Sequence, residues 1–148
     1  MKHQSTKFIN LGSCCFRQPK AESHCKYLHG YDLNVKLWFT GKLDDNNWIV
    51  DFGGLKDLKT TFKDWFDHKT VIAKSDPDIK IFKRLDELNI IQLRIVPAVG
   101  MEMFSKLCLS ITNTFLKTRD INAKCIKAEV YEHNRNSAIY KSDDSFEN

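Results

Sequence analysis

The chain has 148 residues, of which 42% are hydrophobic and 28% charged, and its formal net charge is +4 at pH 7. This length suits one domain, and the composition excludes both a disordered chain and a fibrous one. No apolar run approaches the roughly 18 residues that a membrane span needs. The start MKHQSTKFIN also lacks the apolar core of a signal peptide. We therefore expect a single domain over residues 1–148 and a cytoplasmic location.

The charges and cysteines narrow the function classes further. Lysines and arginines are dispersed among 19 acidic residues, so nucleic-acid binding is not expected. The balance suits a small polyanion such as a triphosphate, and a solvated mixed surface explains it equally well. The odd number of cysteines fits reduced thiols better than a disulfide framework; they are Cys14, Cys15, Cys25, Cys108 and Cys125.

The first half of the chain predicts two strands and a helix. TKFINLGSCCF, residues 6–16, is a plausible strand, and LNVKLWFTG, residues 33–41, alternates apolar and polar side chains with the period of a half-buried strand. The loop between them carries SHCKYLHGYDL, residues 23–33, with two histidines and a cysteine. Apolar residues at helical spacing then predict a helix over about 54–66.

The second half predicts two more helices and three strands. Residues 77–88 open with a proline suited to the first helical position. The remaining elements are a short strand at about 91–96, a helix at roughly 101–118, and a closing strand pair at 124–133 and 137–140. We expect an α+β fold with an antiparallel sheet, helices on one face, a small insertion at about 69–96 and a disordered tail at 141–148.

Four motifs occur in the order expected of one family. They are CKYLHG (25–30), WIVDFGGLK (48–56), FDH (66–68) and VYEH (130–133). Together they resemble the 6-pyruvoyltetrahydropterin synthase family, especially its bacterial 6-carboxytetrahydropterin synthase branch. The resemblance implies the tunnelling fold (T-fold), with ββααββ subunits, pterin sites at subunit interfaces and a homohexamer built as a dimer of trimers.

The resemblance also implies a reaction. The bacterial branch acts on 7,8-dihydroneopterin triphosphate, which loses acetaldehyde and triphosphate to give 6-carboxytetrahydropterin, an intermediate toward queuosine and other 7-deazaguanines. This lyase chemistry moves protons along the substrate side chain. It needs a nucleophile or base, a proton partner and a group that acidifies the side-chain hydroxyls.

Three residues match the catalytic positions of the family. Cys25 matches its catalytic cysteine, and the neighbouring His24 and Lys26 would favour the thiolate; a buried structural cysteine is the alternative. Asp67 and His68 match its dyad, in which a carboxylate raises the basicity of the imidazole and sets its tautomer. The alternative is a histidine placed favourably at a helix C-terminus.

Two glutamates match substrate-binding positions. Glu132 corresponds to the pterin anchor, where a carboxylate accepts two parallel hydrogen bonds from the ring; an exposed glutamate at a strand end is the alternative. Glu102 resembles the acidic residue that begins the second helix of the family, and stabilisation of the helix dipole explains it nearly as well. Asp51 could cap the coming helix.

Zinc is implied by the family, which binds it through three histidines, but only one is kept. His29 is retained, whereas Phe16 and Tyr31 occupy the other two positions. A catalytic zinc normally needs three protein ligands, and phenylalanine cannot coordinate. His24, or one of Cys14 and Cys15, is a conceivable substitute.

Three functions remain open from the sequence. The first is a lyase of the 6-carboxytetrahydropterin synthase type. The second is a non-catalytic pterin- or purine-binding paralogue with a degenerate zinc site. The third is a zinc-independent, aldolase-like enzyme that uses Cys25, His68 and Tyr31.

Overall fold

The computed structural model describes residues 2–142. The helices are α1 (Lys56–Phe66), α2 (Ile79–Glu87) and α3 (Met101–Thr118), and short 3-10 helices occupy His24–Lys26 and Phe52–Leu55. The strands are β1 (Ser5–Phe16), β2 (His29–Thr40), β3 (Thr70–Ala73), β4 (Leu93–Val96), β5 (Lys124–His133) and β6 (Asn136–Lys141).

The strands form one six-stranded sheet in the order β4-β3-β1-β2-β5-β6. The four long strands β1, β2, β5 and β6 pair antiparallel, as predicted. β3 pairs parallel to β1 and β4 parallel to β3, so the edge of the sheet is mixed. This parallel edge and α2 make up the segment that the sequence predicted as a small insertion.

The core lies between the sheet and the two longer helices. The apolar positions of the alternating pattern in β2 are fully buried, namely Leu33, Val35, Leu37 and Phe39. α1 and α3 contribute their apolar stripes to the same core, as amphipathic helices do. The prediction of helices packed over one face of an antiparallel sheet is therefore confirmed.

Several predicted boundaries differ from the structure. β2 begins at His29 rather than at residue 33, so His29 lies on a strand and not in the preceding loop. β3 was not predicted, because its four residues are all buried and show no alternation. Lys141 belongs to β6, and the rest of the predicted tail, apart from Ser142, lies outside the described residues.

Within residues 2–142, no helix is both long and apolar enough to cross a membrane.

Candidate active site

A small polar cleft opens where β1 ends and β2 begins. It has a volume of about 200 Å³. Four of the predicted site residues line it, and they come from distant parts of the chain: Cys25, His29, Glu102 and Glu132. They meet because β2 pairs with both β1 and β5, which places the ends of these strands beside the first turn of α3. Small-molecule binding sites typically combine concavity with converging polar groups in this way.

Cys25 sits in a tightly anchored loop. Its backbone N–H donates to the Ser23 hydroxyl at 3.3 Å, and its carbonyl accepts from the Gln18 N–H at 2.8 Å. The side chain remains partly accessible. The structural alternative of a fully buried cysteine therefore does not apply to Cys25.

Glu132 presents a half-shielded carboxylate to the cleft. Its side chain is 22% exposed, and its Oε1 accepts a 2.9 Å hydrogen bond from the Asn136 side chain. The His133 Nε2 lies 3.5 Å from the same oxygen. Since Oε1 carries both contacts, Oε2 is without a hydrogen-bond partner among residues 2–142. The Glu132 carboxylate can therefore accept further hydrogen bonds.

Glu102 occupies the first turn of α3, where a carboxylate also stabilises the helix dipole. The preceding Gly100 has φ +116°, which disfavours any L side chain. A Cβ there would also lie 2.9 Å from the Gln18 amide nitrogen. Gly100 therefore lets the chain enter α3 at the edge of the cleft.

Three aromatic rings stand side by side in and behind the cleft. The centroids of Phe16 and His29 are 4.9 Å apart, those of His29 and Tyr31 5.3 Å, and those of Phe16 and Tyr31 6.0 Å. Burial, and then the charges of Glu132 and Cys25, raise the pKa of the Tyr31 phenol and keep it a neutral donor. These are the three positions at which the resemblance expects the zinc-binding imidazoles.

The residues present do not fit a zinc ion. Phenylalanine has no lone pair to donate, and three protein ligands are the norm for a catalytic zinc. Within residues 2–142, no group of three histidine, cysteine or acidic side chains is placed to hold a metal. The conceivable substitute His24 is exposed, and its ring packs 6.1 Å from that of Tyr27. Cys14 is buried, which raises its pKa to about 12.

Asp67 and His68 lie outside this cleft. His68 borders a second depression of about 430 Å³, whose other lining residues include Cys15 and Thr70. The dyad itself is formed: the His68 Nδ1 is 3.1 Å from the Asp67 Oδ1, and the imidazole is 79% exposed. The structure therefore does not bring Cys25 and His68 together within one subunit.

Asp67 is held as a carboxylate by its neighbours. Burial acts to raise its pKa, but the Ser13 N–H, the His68 side chain and the charges of His68 and Lys63 outweigh it, so the pKa is lowered. The Ser13 N–H donates to Oδ1 at 3.1 Å. An ionised Asp67 suits the task of orienting the neighbouring imidazole.

Gly12 makes room for this dyad, and the sequence reasoning missed it. It has φ +94° at an irregularity in the β1–β2 pairing, and a Cβ there would overlap the Asp67 carboxylate. The one signal in the sequence is a glycine inside a strand pattern, which often marks a bulge or a close approach. Asn136, the partner of Glu132, was also not predicted as a site residue, since it lies between the two predicted closing strands.

Comparison with solved structures defines the fold. A crystal structure from Wolinella succinogenes superposes with a TM-score of 0.82 at 16% identity, covering 96% of this chain and 99% of the other. The 6-pyruvoyl tetrahydropterin synthase of Plasmodium falciparum superposes with a TM-score of 0.65 at 16% identity, covering 94% and 98%. The fold is the tunnelling fold, as predicted.

The family follows from sequence comparison. Residues 10–143 match the family described as 6-pyruvoyl tetrahydropterin synthase. The chain belongs to that family. A probable 6-carboxy-5,6,7,8-tetrahydropterin synthase of Halobacterium salinarum is 29% identical over 62 residues, which are 42% of this chain and 39% of the relative.

Proposed function

We propose that the chain is a lyase of the 6-carboxytetrahydropterin synthase type that acts on 7,8-dihydroneopterin triphosphate. The observation that carries the proposal is the convergence of Cys25 and the Glu132 carboxylate in one cleft. A carboxylate with a free oxygen can accept the paired N–H groups of a pterin ring in a bidentate arrangement. Binding in that arrangement would place the ring's side chain for attack or deprotonation by a Cys25 thiolate.

The proposal requires a second subunit. A volume of about 200 Å³ is below the roughly 300 Å³ at which ligand pockets begin, so the cleft needs another wall. Cys25 also needs a proton partner, and the formed Asp67–His68 dyad lies elsewhere on the same chain. In the proposed assembly, the exposed His68 of one subunit faces the cleft of its neighbour.

Two open strand edges support such an assembly. Within residues 2–142, residues 5–12 of β1 have no strand on the side opposite β2, and β6 ends the sheet on the other side. Two different open edges on one chain favour head-to-tail pairing, which closes into a ring when the rotation permits. We propose a homohexamer built as a dimer of trimers.

The reaction itself tests the proposal. Purified protein is incubated with 7,8-dihydroneopterin triphosphate, and acetaldehyde, triphosphate and the pterin product are quantified. We expect turnover by the native chain and its loss in the variants Cys25→Ser and His68→Gln. The variant Glu87→Gln serves as a control, because Glu87 lies on α2 outside the cleft and pairs with Arg84. Release of no acetaldehyde by the native hexamer would contradict the proposal.

The aromatic side chains at the expected zinc positions favour a second candidate. Because Phe16 and Tyr31 replace two expected zinc ligands, a zinc-independent, aldolase-like enzyme would use Cys25, His68 and the Tyr31 hydroxyl for acid-base chemistry. That candidate predicts a preference for dephosphorylated 7,8-dihydroneopterin and turnover that chelators do not affect. A role in queuosine synthesis would require the first reaction and not the second.

A further inference from the structure

The strand register assembles the three rings into one unit. Phe16 pairs directly with His29 across β1 and β2, and Tyr31 pairs with Cys14 two positions along. Alternate residues of a strand share a face, so His29 and Tyr31 stand on the same side of β2. The hairpin thus collects the side chains of the three expected ligand positions, which we call the ring cluster: Phe16, His29 and Tyr31.

Phe16 belongs to the core rather than to an abandoned ligand position. Its side chain is only 2% exposed. Its ring meets that of Phe104 edge-on at 5.2 Å, and Phe104 in turn meets Phe66 edge-on at 5.6 Å. Edge-to-face pairs of this kind stabilise beyond their burial. A continuous row of edge-to-face rings therefore runs from the cleft into the core.

His29 is held by a bond that defines which of its nitrogens is free. Its Nδ1 lies 2.7 Å from the Tyr27 carbonyl oxygen. A carbonyl only accepts, so Nδ1 carries a hydrogen, and in the neutral imidazole Nε2 is then an acceptor. Among residues 2–142, no group bonds to Nε2, and the side chain lines the cleft. The cleft thus offers an imidazole acceptor together with the carboxylates of Glu102 and Glu132.

We propose that the ring cluster replaces the metal centre of this site, so that a planar heterocycle rich in hydrogen-bond donors binds against it without zinc. The inference rests on the proposed function for the choice of a pterin-like ligand. Phe16 supplies the packed support, and the His29 Nε2 and the Glu132 carboxylate accept hydrogen bonds from the ligand. Specificity then comes from acceptor groups and ring contacts rather than from coordination.

The first arm of the test measures zinc alone. Protein purified without chelator is analysed for metal content and then titrated with zinc chloride by calorimetry. We expect much less than one zinc per chain and no stoichiometric binding, since three ligands are normally required. About one zinc per chain, removed by His29→Ala but not by His24→Ala, would overturn the inference.

The second arm uses neopterin as the probe. Fluorescence titrations of the native protein are compared with and without EDTA and with excess zinc, and we expect its Kd to change by less than about twofold. Binding that needs zinc would overturn the inference. Absence of binding under every condition would instead overturn the proposed function, while the zinc titration would still decide whether the metal centre has been replaced.

A restored site provides a positive control. The double variant Phe16→His/Tyr31→His would present three imidazoles at adjacent positions, and we expect it to bind about one zinc per chain. The single variant Phe16→His lacks a third ligand and should not. Circular dichroism monitors folding, because Phe16→His places a polar ring in the core. Only zinc binding by the native protein decides whether the ring cluster has replaced the metal centre.

Discussion

Individual residues determine the shape of the cleft that holds Cys25 and of the depression beside His68. Gly12 allows the Asp67 carboxylate to lie against β1, because the absence of a Cβ leaves room for it. Asp67 in turn accepts the Ser13 N–H and contacts His68, whose own φ is +61°. Sparsely populated backbone conformations persist only where the surrounding structure holds them in place. The geometry of the Asp67–His68 dyad thus depends on the space at Gly12, the bond from Ser13 and the His68 backbone together.

The variant Gly12→Ala tests that constraint. An alanine would adopt an unfavourable positive φ and collide with Asp67, so the free energy of unfolding should fall by about 2 kcal/mol. Urea denaturation of the matched variant Gly54→Ala provides the control, because a Cβ at Gly54 meets only an ordinary contact at 3.9 Å. Equal stability of the two variants would show that Gly12 does not shape the site.

The variant Glu132→Gln tests the pterin anchor. An amide cannot provide a charged bidentate acceptor, so the Kd for neopterin should rise about tenfold or more, which is at least about 1.4 kcal/mol. Fluorescence titration measures it. Glu87→Gln, on α2 and outside the cleft, should leave the Kd within about twofold. A similar loss in both variants would point to a general charge effect instead.

At the level of elements, one buried ion pair ties the insertion to the sheet. Arg17, which follows β1, bonds the Asp76 carboxylate with two nitrogens at 2.6 and 3.0 Å and also reaches Asp78 at 2.8 Å. The Asp76 side chain is 1% exposed. Arg17 also lies 5.4 Å from the Phe82 ring of α2. This arginine therefore holds the start of α2 against the end of β1.

Loss of this tether should be visible in stability. Removing one partner of a buried pair leaves the other charge uncompensated, so Asp76→Asn should lower the free energy of unfolding at pH 7 by about 3 kcal/mol. The control Asp64→Asn breaks an exposed pair with Arg94, in which the aspartate is 76% exposed. That change should cost less than about 1 kcal/mol. Urea denaturation measures both.

The same pair predicts a pH dependence. The hydrogen bonds from Arg17 outweigh burial and hold the pKa of Asp76 below its ordinary value of 3.8. A carboxyl whose pKa is lower in the folded state stabilises fully above its unfolded pKa and loses that contribution as the pH falls through the folded one. The difference between the native chain and Asp76→Asn should therefore shrink below about pH 3.8. A constant difference would contradict this assignment.

For the whole molecule, the main consequence of the fold is that the cleft with Cys25 and the depression with His68 are separate. Cys25 and Glu132 share one cleft, whereas His68 borders another. Under the proposed function, catalysis by both groups would depend on a neighbouring subunit. Within residues 2–142, residues 5–12 of β1 and residues 136–140 of β6 border no further strand, and such edges offer a contact through which neighbours would pair.

Mixing two inactive variants tests this arrangement. Chains carrying Cys25→Ser and chains carrying His68→Gln are unfolded together, refolded as a mixture and assayed for acetaldehyde release. In a ring with sites shared between neighbours, about a quarter of the sites would join two intact groups, so about a quarter of the native activity should return. The separately refolded variants are the controls. No recovery in a mixture of native size would place both groups in one subunit's site.

Sequence periodicity predicted much of the fold because the interior repeats regularly along the chain. α3 begins and ends where its apolar spacing indicated, and β2 alternates as expected along its buried face. β3 was not predicted because a fully buried four-residue strand shows no alternation of apolar and polar residues. The start of β2 was missed because its first residues are polar, and only pairing with β1 makes them a strand.

The sequence by itself determined the family, the core elements and the chemical types of the site residues, because these depend on local patterns and motifs. Only the tertiary structure decided which residues meet. Cys25 and Glu132 are far apart in the chain and converge through the pairing of β2 with β5, whereas His68 emerges on the other side of β1. The structure also decided that Phe16 is a core residue, since burial against Phe104 is a property of packing and not of the motif.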